Sequence, residues 1–345
     1  MHAGTDMPRT LTRVAEIGNS SSLNCTNLLG FATVILAFAG TTNNSRRSSY
    51  MRTATVKIFA SVLFGVLLSS ALFATDYRYT KIDPPNSILT VARGINARGD
   101  ILGNFVDTDG VGHDFLLHNG VYSNIEYPRG ASASARALNA RGDVVGVLDD
   151  AHGTHGFLLS DGKLTKLDYP GAVDTRAFGI NNSGDITGQY STKFAVFGFI
   201  LKQGMYHRLR LRGSSLTSLH GAEDNGRVMT GDVILEADSS LHAFLQRKPG
   251  DFELLDPPGT IFPCSRGRGI NERGDVAGAF SIVNTADECG SPAHGFVFHQ
   301  GSYDVIDPPG STDTFVFGIN DDGAVVGAET AWNGVVHGFK ATPKE

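Results

Sequence analysis

Short runs of apolar and polar residues follow one another across residues 75–345, and they recur in the same order six times. Each run has four to seven residues, contains β-branched or aromatic side chains, and ends at Gly, Asn or Pro. Such runs are typical of β-strands, and residues 75–345 contain no long stripe of helical period. Four runs make up one repeat. The pattern therefore predicts an all-β protein.

A tight turn separates the first and second run of every repeat, with the sequence Asn-x-x-Gly in five repeats and Glu223 in place of Asn in the fourth. The anchoring glycines are spaced 43, 42, 42, 48 and 49 residues apart: Gly99, Gly142, Gly184, Gly226, Gly274 and Gly323. Four strands within about 40–50 residues are typical of a propeller blade, whereas solenoid repeats are shorter. We therefore predict a six-bladed β-propeller of four-stranded antiparallel blades over residues 75–345.

The two ends of this region bear on closure of the ring. The chain enters with Tyr79–Asp83, which matches the fourth run of a repeat, and it leaves with a third run at His337. The N-terminal strand can therefore complete the last blade, which leaves no ladder edge unpaired. In the alternative, each blade begins with its fourth run and no exchange is needed.

The third run begins with His-x-Phe in five repeats, at His113, His155, His242, His294 and His337. Equivalent positions of different blades lie far apart, whereas a zinc ion needs ligands about 2 Å away. We therefore predict that each histidine is hydrogen-bonded within its own blade, and we predict no metal site.

These motifs resemble the bacterial HAF-repeat family, which is named for a His-Ala-Phe tripeptide. His242-Ala243-Phe244 matches the tripeptide, and Gly94-Ile95-Asn96 shows the lead-in that the copies share. The resemblance covers about residues 76–340 and implies an extracellular protein without an established enzymatic activity. Phe197 in place of His and Glu223 in place of Asn are departures from the pattern.

The N-terminal region predicts export. Residues 51–74 have a positively charged start at Met51, an apolar run from Ile58 to Phe73, and small residues at its end. This arrangement is typical of a secretory signal peptide, so we expect a secreted, extracellular or periplasmic protein. An uncleaved membrane anchor is the alternative. Residues 1–50 form a doubtful leader, and we predict that translation starts at Met51.

Composition limits the partners and suggests one covalent link. The chain has 29 basic and 35 acidic residues, a formal net charge of −6, without a basic stripe. Phosphate backbones are repelled by such a surface, so nucleic acid is not an expected partner. Cys264 and Cys289 form an even pair in an exported domain, which predicts a disulfide worth about 3 kcal/mol. Two free buried thiols are the alternative.

Residues that do not recur lie in the loops between the second and third runs, which repeat symmetry places on one face. Acidic and aromatic side chains in these loops are the candidate ligand-binding residues: Asp107, Asp109, Asp149, Asp150, His152, Phe194, Glu236, Asp238, Glu329 and Trp332. Acidic groups beside aromatic rings suit a glycan, or a hard cation such as calcium. Solvated loops without a ligand are the alternative.

Nothing in the motifs indicates catalysis. The chain has no nucleophile elbow, phosphate-binding loop, dinucleotide fingerprint or zinc-protease motif. We therefore predict a non-catalytic binding or interaction scaffold that needs no cofactor and binds a glycan or another envelope or extracellular protein. A carbohydrate-active enzyme and a structural envelope component are the alternatives. An enzyme needs two carboxylates about 5–10 Å apart at the central mouth.

Overall fold

The computed structural model describes residues 75–127, 132–260, 264–282, 284–285 and 288–344. The leader (1–50) and the signal segment (51–74) lie outside this range. Among the described residues, none form a helix long and apolar enough to cross a membrane.

The described residues form 26 β-strands, and the strands pair almost entirely with their neighbours in sequence. In chain order the strands are β1 (Tyr77–Ile82), β2 (Ser87–Ile95), β3 (Ile101–Asp107), β4 (Gly112–His118), β5 (Val121–Asn124), β6 (Ser132–Leu138), β7 (Val144–Asp150), β8 (Gly153–Ser160), β9 (Lys163–Leu167), β10 (Asp174–Ile180), β11 (Ile186–Ser191), β12 (Val196–Lys202), β13 (Met205–Leu209), β14 (Ser214–Ala222), β15 (Met229–Leu235), β16 (Leu241–Lys248), β17 (Asp251–Leu255), β18 (Ser265–Ile270), β19 (Val276–Ser281), β20 (Asn284–Thr285), β21 (Glu288–Cys289), β22 (Ala293–His299), β23 (Ser302–Ile306), β24 (Ser311–Ile319), β25 (Val325–Ala331) and β26 (Val336–Pro343). The all-β prediction is confirmed.

Four of the sheets are separate four-stranded antiparallel blades: β2–β5, β6–β9, β18-β19-β22-β23 and β24-β25-β26-β1. β10 to β17 instead form one eight-stranded sheet, because β12 and β14 pair in parallel at Val196 and Leu216. Within it, β10–β13 and β14–β17 each keep the strand order of a blade. The number of separate four-stranded sheets is therefore four, and not the expected six.

The N-terminal strand completes the last blade. β1 pairs antiparallel with β26, from Tyr77 opposite Pro343 to Ile82 opposite Gly338. The Asp83 carboxylate also accepts from the backbone N–H of Gly338 (3.3 Å) and bonds His337 Nδ1 (2.8 Å). Closure by the N-terminal strand, the first of the two alternatives, is confirmed.

One glycine and one phenylalanine recur in every repeat because they pack against each other. In each repeat a glycine of the second strand lies opposite a phenylalanine of the third, as Gly278 lies opposite Phe296. A Cβ on Gly278 would lie 2.8 Å from the Phe296 ring and 2.0 Å from the Arg266 carbonyl oxygen. The ring occupies the space that a side chain would need. Each repeat buries one such phenylalanine: Phe115, Phe157, Phe199, Phe244, Phe296 and Phe339, the last at 2% exposure.

The Asn-x-x-Gly turns join neighbouring repeats in a ring. The Asn96 side-chain oxygen accepts from the backbone N–H groups of Arg98 and Asp100, and its amide donates to the Asn139 carbonyl (3.1 Å) of the next repeat. Four further bonds of the same kind run onward: Asn139 to Asn181, Asn181 to Glu223, Asn271 to Asn320, and Asn320 back to Asn96. The last of these bonds leads back to the first repeat, and the one step without such a bond is from Glu223 to Asn271.

These turns define one end of a central channel, called here the Asn-turn end. The innermost strands are β2, β6, β10, β14, β18 and β24, and all of them end at these turns. Because the strands of a blade are antiparallel, the loops between second and third strands lie at the opposite end, called here the loop end.

Candidate functional site

A ring of six side chains surrounds the central channel. Every innermost strand has a β-bulge three residues before its turn residue (Asn, or Glu223 in the fourth repeat), where the register to the second strand shifts. The unpaired residues are Arg93, Arg136, Phe178, His220, Arg268 and Phe317, and these six line a channel cavity of about 110 Å³. A bulge re-aims side chains out of strict alternation. The same irregularity, repeated six times, thus presents one side chain per repeat to the channel.

The channel continues from this ring towards the Asn turns. An adjoining cavity of about 90 Å³ shares the six ring residues and adds an apolar belt: Ile95, Leu138, Ile180, Ala222, Ile270 and Ile319. A third cavity of about 80 Å³ shares this belt and reaches the turn residues. The channel is therefore narrow, with a cationic section, an apolar section and a polar mouth.

On one side of the ring the charges are paired. The Asp232 carboxylate lies 3.2 Å from His220 Nε2, and 3.5 and 3.6 Å from guanidinium nitrogens of Arg268 and Arg266. It also accepts from the backbone N–H of Gly267 (3.1 Å). Burial alone would raise the pKa of Asp232, but Arg268 and His220 hold it at about 2. Burial lowers the pKa of His220, so this imidazole is neutral at pH 7.

On the other side, two arginines have no such partner. Among the described residues, no carboxylate lies within 4.0 Å of the Arg93 or Arg136 side-chain nitrogens, and the buried Arg136 Nε has no hydrogen-bond acceptor. Arg93 Nε donates to Asn104 Oδ1 (2.8 Å). Burial, with Arg136 and Arg268 acting in the same direction, lowers the pKa of Arg93, although a guanidinium stays protonated at neutral pH. The Asp114 carboxylate attracts both guanidinium groups from more than 4.0 Å away, so the positive charge on this side of the channel is compensated only in part.

A larger groove of about 690 Å³ adjoins this side, between the first and second blades. Arg93 lines both the groove and the channel, and Asn104 and Asp114 form the groove wall behind it. Asp114 accepts hydrogen bonds from the Tyr127 hydroxyl (2.6 Å) and the Ala135 N–H (2.7 Å), and it bonds the Asn104 amide. Burial raises the pKa of Asp114 in spite of these bonds.

The mouth at the Asn-turn end contains three carboxylates, Asp224, Glu272 and Asp321. Each accepts a backbone N–H from the preceding turn: Asp224 from Asn182 (2.7 Å), Glu272 from Asp224 (2.6 Å), and Asp321 from Glu272 (3.0 Å). Burial raises the pKa of Glu272, and the neighbouring carboxylates add to the effect. These groups have a structural use, because they link turns around the ring.

The ten residues predicted from the loops lie at the loop end. Asp107, Asp150 and Asp238 bond histidines of the adjacent third strand, namely His113, His155 and His242. Asp149 accepts from the Thr154 hydroxyl, and Glu236 lies 3.4 Å from Arg210. Phe194 and Trp332 are 95% and 84% exposed. Asp109, His152 and Glu329 complete the set, whose role in binding stays a prediction.

The described residues of these loops do not form a cation-binding site. Within the described part of the chain, no group of three or more His, Cys, Asp or Glu side chains has the geometry to hold a metal ion. Calcium binding by the Asp107–Asp109 loop therefore gains no support from the geometry.

The repeated histidines have local partners, as predicted. In four repeats the His Nδ1 bonds the Asp that precedes the proline or Tyr-Pro segment, at 2.6–2.8 Å: His155 with Asp168, His242 with Asp256, His294 with Asp307, and His337 with Asp83. These pairs fix the end of the outer strand to the third strand. The histidines are structural.

One of the two cysteines of the predicted disulfide lies among the fully described residues. Cys264 is 4% exposed and is disulfide-bonded. The side chain of Cys289 lies outside the described residues, so its pairing with Cys264 stays a prediction.

Sequence reasoning missed the ring residues. A bulged residue is not visible in strand alternation, and the ring position follows no single residue type. One signal was present, because the position before Gly-Ile-Asn, a lead-in found in four repeats, is Arg in two of them and Phe in the other two. Variation at one position within a constant frame is typical of a binding surface on a repeat scaffold.

Comparison with known proteins gives no family for this chain. No family model matches the sequence, and no curated protein matches it. TolB from Acinetobacter baumannii is similar in structure, with 11% identity and a TM-score of 0.45 over 74% of this chain and 54% of TolB, so the chain spans about half the length of that protein. AofleA from Arthrobotrys oligospora has 16% identity and a TM-score of 0.46 over 77% of this chain and 86% of AofleA.

A third similar structure is the Aleuria aurantia lectin in complex with Fucα1-6GlcNAc. It has 10% identity and a TM-score of 0.44, over 76% of this chain and 93% of the lectin. Similarity at this level concerns the fold alone.

Proposed function

We propose that the protein is an exported, non-catalytic binding scaffold that holds an anionic ligand at the cationic section of its central channel. The ring of six bulged side chains is the observation that carries the proposal. It contains three guanidinium groups, and only Arg268 has a carboxylate within 4.0 Å among the described residues. A low-dielectric cavity with unpaired positive charge favours an anion strongly.

We also propose that six four-stranded units surround the channel. β10–β13 and β14–β17 have separate bulges and separate turns, although one bridge joins their sheets. The five turn-to-turn bonds, which join all neighbouring repeats except the fourth and fifth, support this count. Membership of the HAF-repeat family, cleavage of residues 51–74, and a periplasmic or extracellular location remain parts of the proposal.

A glycan screen tests the binding function. The purified full-length protein is applied to an array of acidic and neutral glycans, with calcium and with a chelator, beside the Arg136→Gln and Arg212→Gln variants. Arg212 is exposed and lies outside the channel lining. We expect acidic glycans to be bound without calcium, with loss of signal in Arg136→Gln alone. Binding that is equal in all three proteins, or no binding of any acidic glycan, would contradict the proposal.

The alternative of a carbohydrate-active enzyme has one observation in its favour, the raised pKa of Glu272 beside Asp224 and Asp321. A carboxyl group of raised pKa near a second carboxylate is an arrangement used in glycoside hydrolysis. Each of these groups is already hydrogen-bonded to a backbone N–H, which favours the structural reading. Mass spectrometry of glycans recovered from the array decides: cleavage that Glu272→Gln abolishes would establish the enzyme.

A further inference from the structure

We propose that the ligand is an acidic sugar unit, whose carboxylate binds between Arg93 and Arg136 and whose hydroxyl groups lie in the groove between the first and second blades. The inference rests on the proposed function, because it names the ligand class for the same channel. The inference adds a second subsite, the groove, to the anion site in the channel.

Contacts among the six ring residues indicate where the carboxylate of the ligand binds. Phe178 stacks on His220, with ring centroids 4.6 Å apart and planes inclined by 8°. Arg268 donates to the same imidazole (3.1 Å). Three of the six ring residues are thus engaged with one another, and Arg268 is also paired with Asp232.

Arg93 and Arg136 are adjacent in the ring, and their interaction is repulsive. The Arg93 guanidinium lies over the Phe317 ring, 4.6 Å from its centroid, and the Asp114 carboxylate that attracts both arginines lies more than 4.0 Å from their nitrogens. Positive charge on Arg136 further lowers the pKa of Arg93, and the buried Arg136 Nε lacks an acceptor. A carboxylate between the two groups would supply that acceptor and remove the repulsion. Planar guanidinium donors match a carboxylate in geometry.

The ligand extends from the channel into the groove because Arg93 belongs to both. The channel cavity of about 110 Å³ has room for a small anionic group and not for a complete sugar. The groove of about 690 Å³ lies within the range of 300–1,000 Å³ that small-molecule sites occupy. The ligand therefore has a small charged head and a larger body.

The groove lining indicates hydroxyl groups on that body. Asn124, Glu126 and Ser132 are exposed there, and His113 and Ser134 are half-buried. Their side chains offer both donors and acceptors, as a polyhydroxylated ligand requires. Glu126 also repels a second negative charge at this end. Together these features specify one carboxylate and several hydroxyl groups, the composition of a uronic acid.

The test measures binding of four probes to the full-length protein by isothermal titration calorimetry: glucuronate, glucose, acetate and inorganic phosphate. We expect glucuronate to bind at least about 10-fold more tightly than each of the others, because only glucuronate fills both subsites. Arg136→Gln should weaken glucuronate about 10- to 100-fold, which is the range of a lost charge-assisted hydrogen bond. Arg136→Lys keeps the charge, so its affinity for glucuronate should lie between those of the wild type and Arg136→Gln. The affinity of Arg212→Gln should match that of the wild type.

A second pair of variants isolates the groove. Ser132→Trp fills the groove and should weaken glucuronate while leaving acetate unchanged. Thr165→Trp is the control, because Thr165 is exposed on β9 and lies outside the groove lining. If acetate or phosphate binds in an Arg136-dependent manner and glucuronate binds no better, the acidic-sugar inference fails and the anion site stands. If none of the four probes binds, both proposals fail.

Discussion

The Arg210 guanidinium lies 5.8 Å from the centroid of the Phe197 ring, at the place where four other repeats have a hydrogen-bonded His–Asp pair. Phe197 takes the position of the His, and Arg210 takes the position of the Asp. Both members of the pair have changed together, and a cation–π contact replaces the hydrogen bond. The third repeat therefore keeps the link between its third strand and the end of its outer strand.

This exchange predicts energetic coupling between the two positions. Phe197→His should reduce the free energy of unfolding by about 0.5–2 kcal/mol, because it removes the ring that Arg208 and Arg210 both face. Arg210→Asp should reduce it by less, because Arg208 stays 5.3 Å from the ring centroid. The double variant should restore a His–Asp pair and recover most of the loss. Urea denaturation of all four proteins gives the coupling energy. Additive losses would show that the two side chains do not interact.

The glycine opposite each buried phenylalanine should not tolerate a methyl group. Gly278→Ala would place Cβ 2.0 Å from the Arg266 carbonyl oxygen, so the backbone must shift. We expect a loss of about 1–3 kcal/mol in unfolding free energy or failure to fold. Gly112→Ala is the matched control, because no atom lies within 4 Å of its added Cβ. Equal stability of the two variants would refute the packing argument.

The circle of Asn turns has one break, and repairing it should stabilise the protein. The carboxylate of Glu223 has no N–H to donate to the Asn271 carbonyl of the next repeat, whereas amides make the five equivalent bonds. Glu223→Asn should add about 0.5–1.5 kcal/mol to the unfolding free energy. Asn320→Ala, which removes an existing link, should act in the opposite direction. Thermal denaturation of the two variants checks the sign of each change.

Acid should destabilise the protein in two separate ranges of pH. The pKa of Asp232 is lowered from 3.8 to about 2 by folding, so its contribution, about 2 kcal/mol, is present above pH 4 and is lost as the pH falls towards 2. Burial lowers the pKa of His220, so protonation in the unfolded state removes stability as the pH falls below 6.5. Asp232→Asn should abolish the first loss, and His220→Gln the second. Urea denaturation between pH 2 and 8 measures both; unchanged pH profiles would refute the assignment.

The repeat chemistry was predictable because it is local. The Asn-x-x-Gly turn and the hydrogen bonding of the repeated histidines within their own blade recur in five copies each, so each signal is clear in the sequence. The contact between Gly269 and Gly318 shows the limit of such reasoning. A Cβ on Gly269 would lie 3.1 Å from the Cα of Gly318, which belongs to a different innermost strand. A contact between repeats leaves no spacing rule in the sequence.

The binding site was not predictable for the same physical reason. Arg93 and Arg136 are 43 positions apart, and each is displaced from strand alternation by a bulge. Their proximity depends on the packing of two repeats, as does the bridge between Val196 and Leu216 that merges two units into one sheet. Sequence reasoning searched the exposed loops, where polar residues are common, and overlooked the charged positions within the strands.

Pairing of β1 with β26 has a consequence for the order of folding. The bond between His337 and Asp83 joins residues 254 positions apart, so it forms only after His337 has been synthesised. Contacts of such long sequence separation slow folding, because loop entropy is lost before the contact forms. Five of the six units can assemble from neighbouring segments during synthesis. The last must wait with an unpaired edge on β26, and this interval is when the protein is most exposed to aggregation.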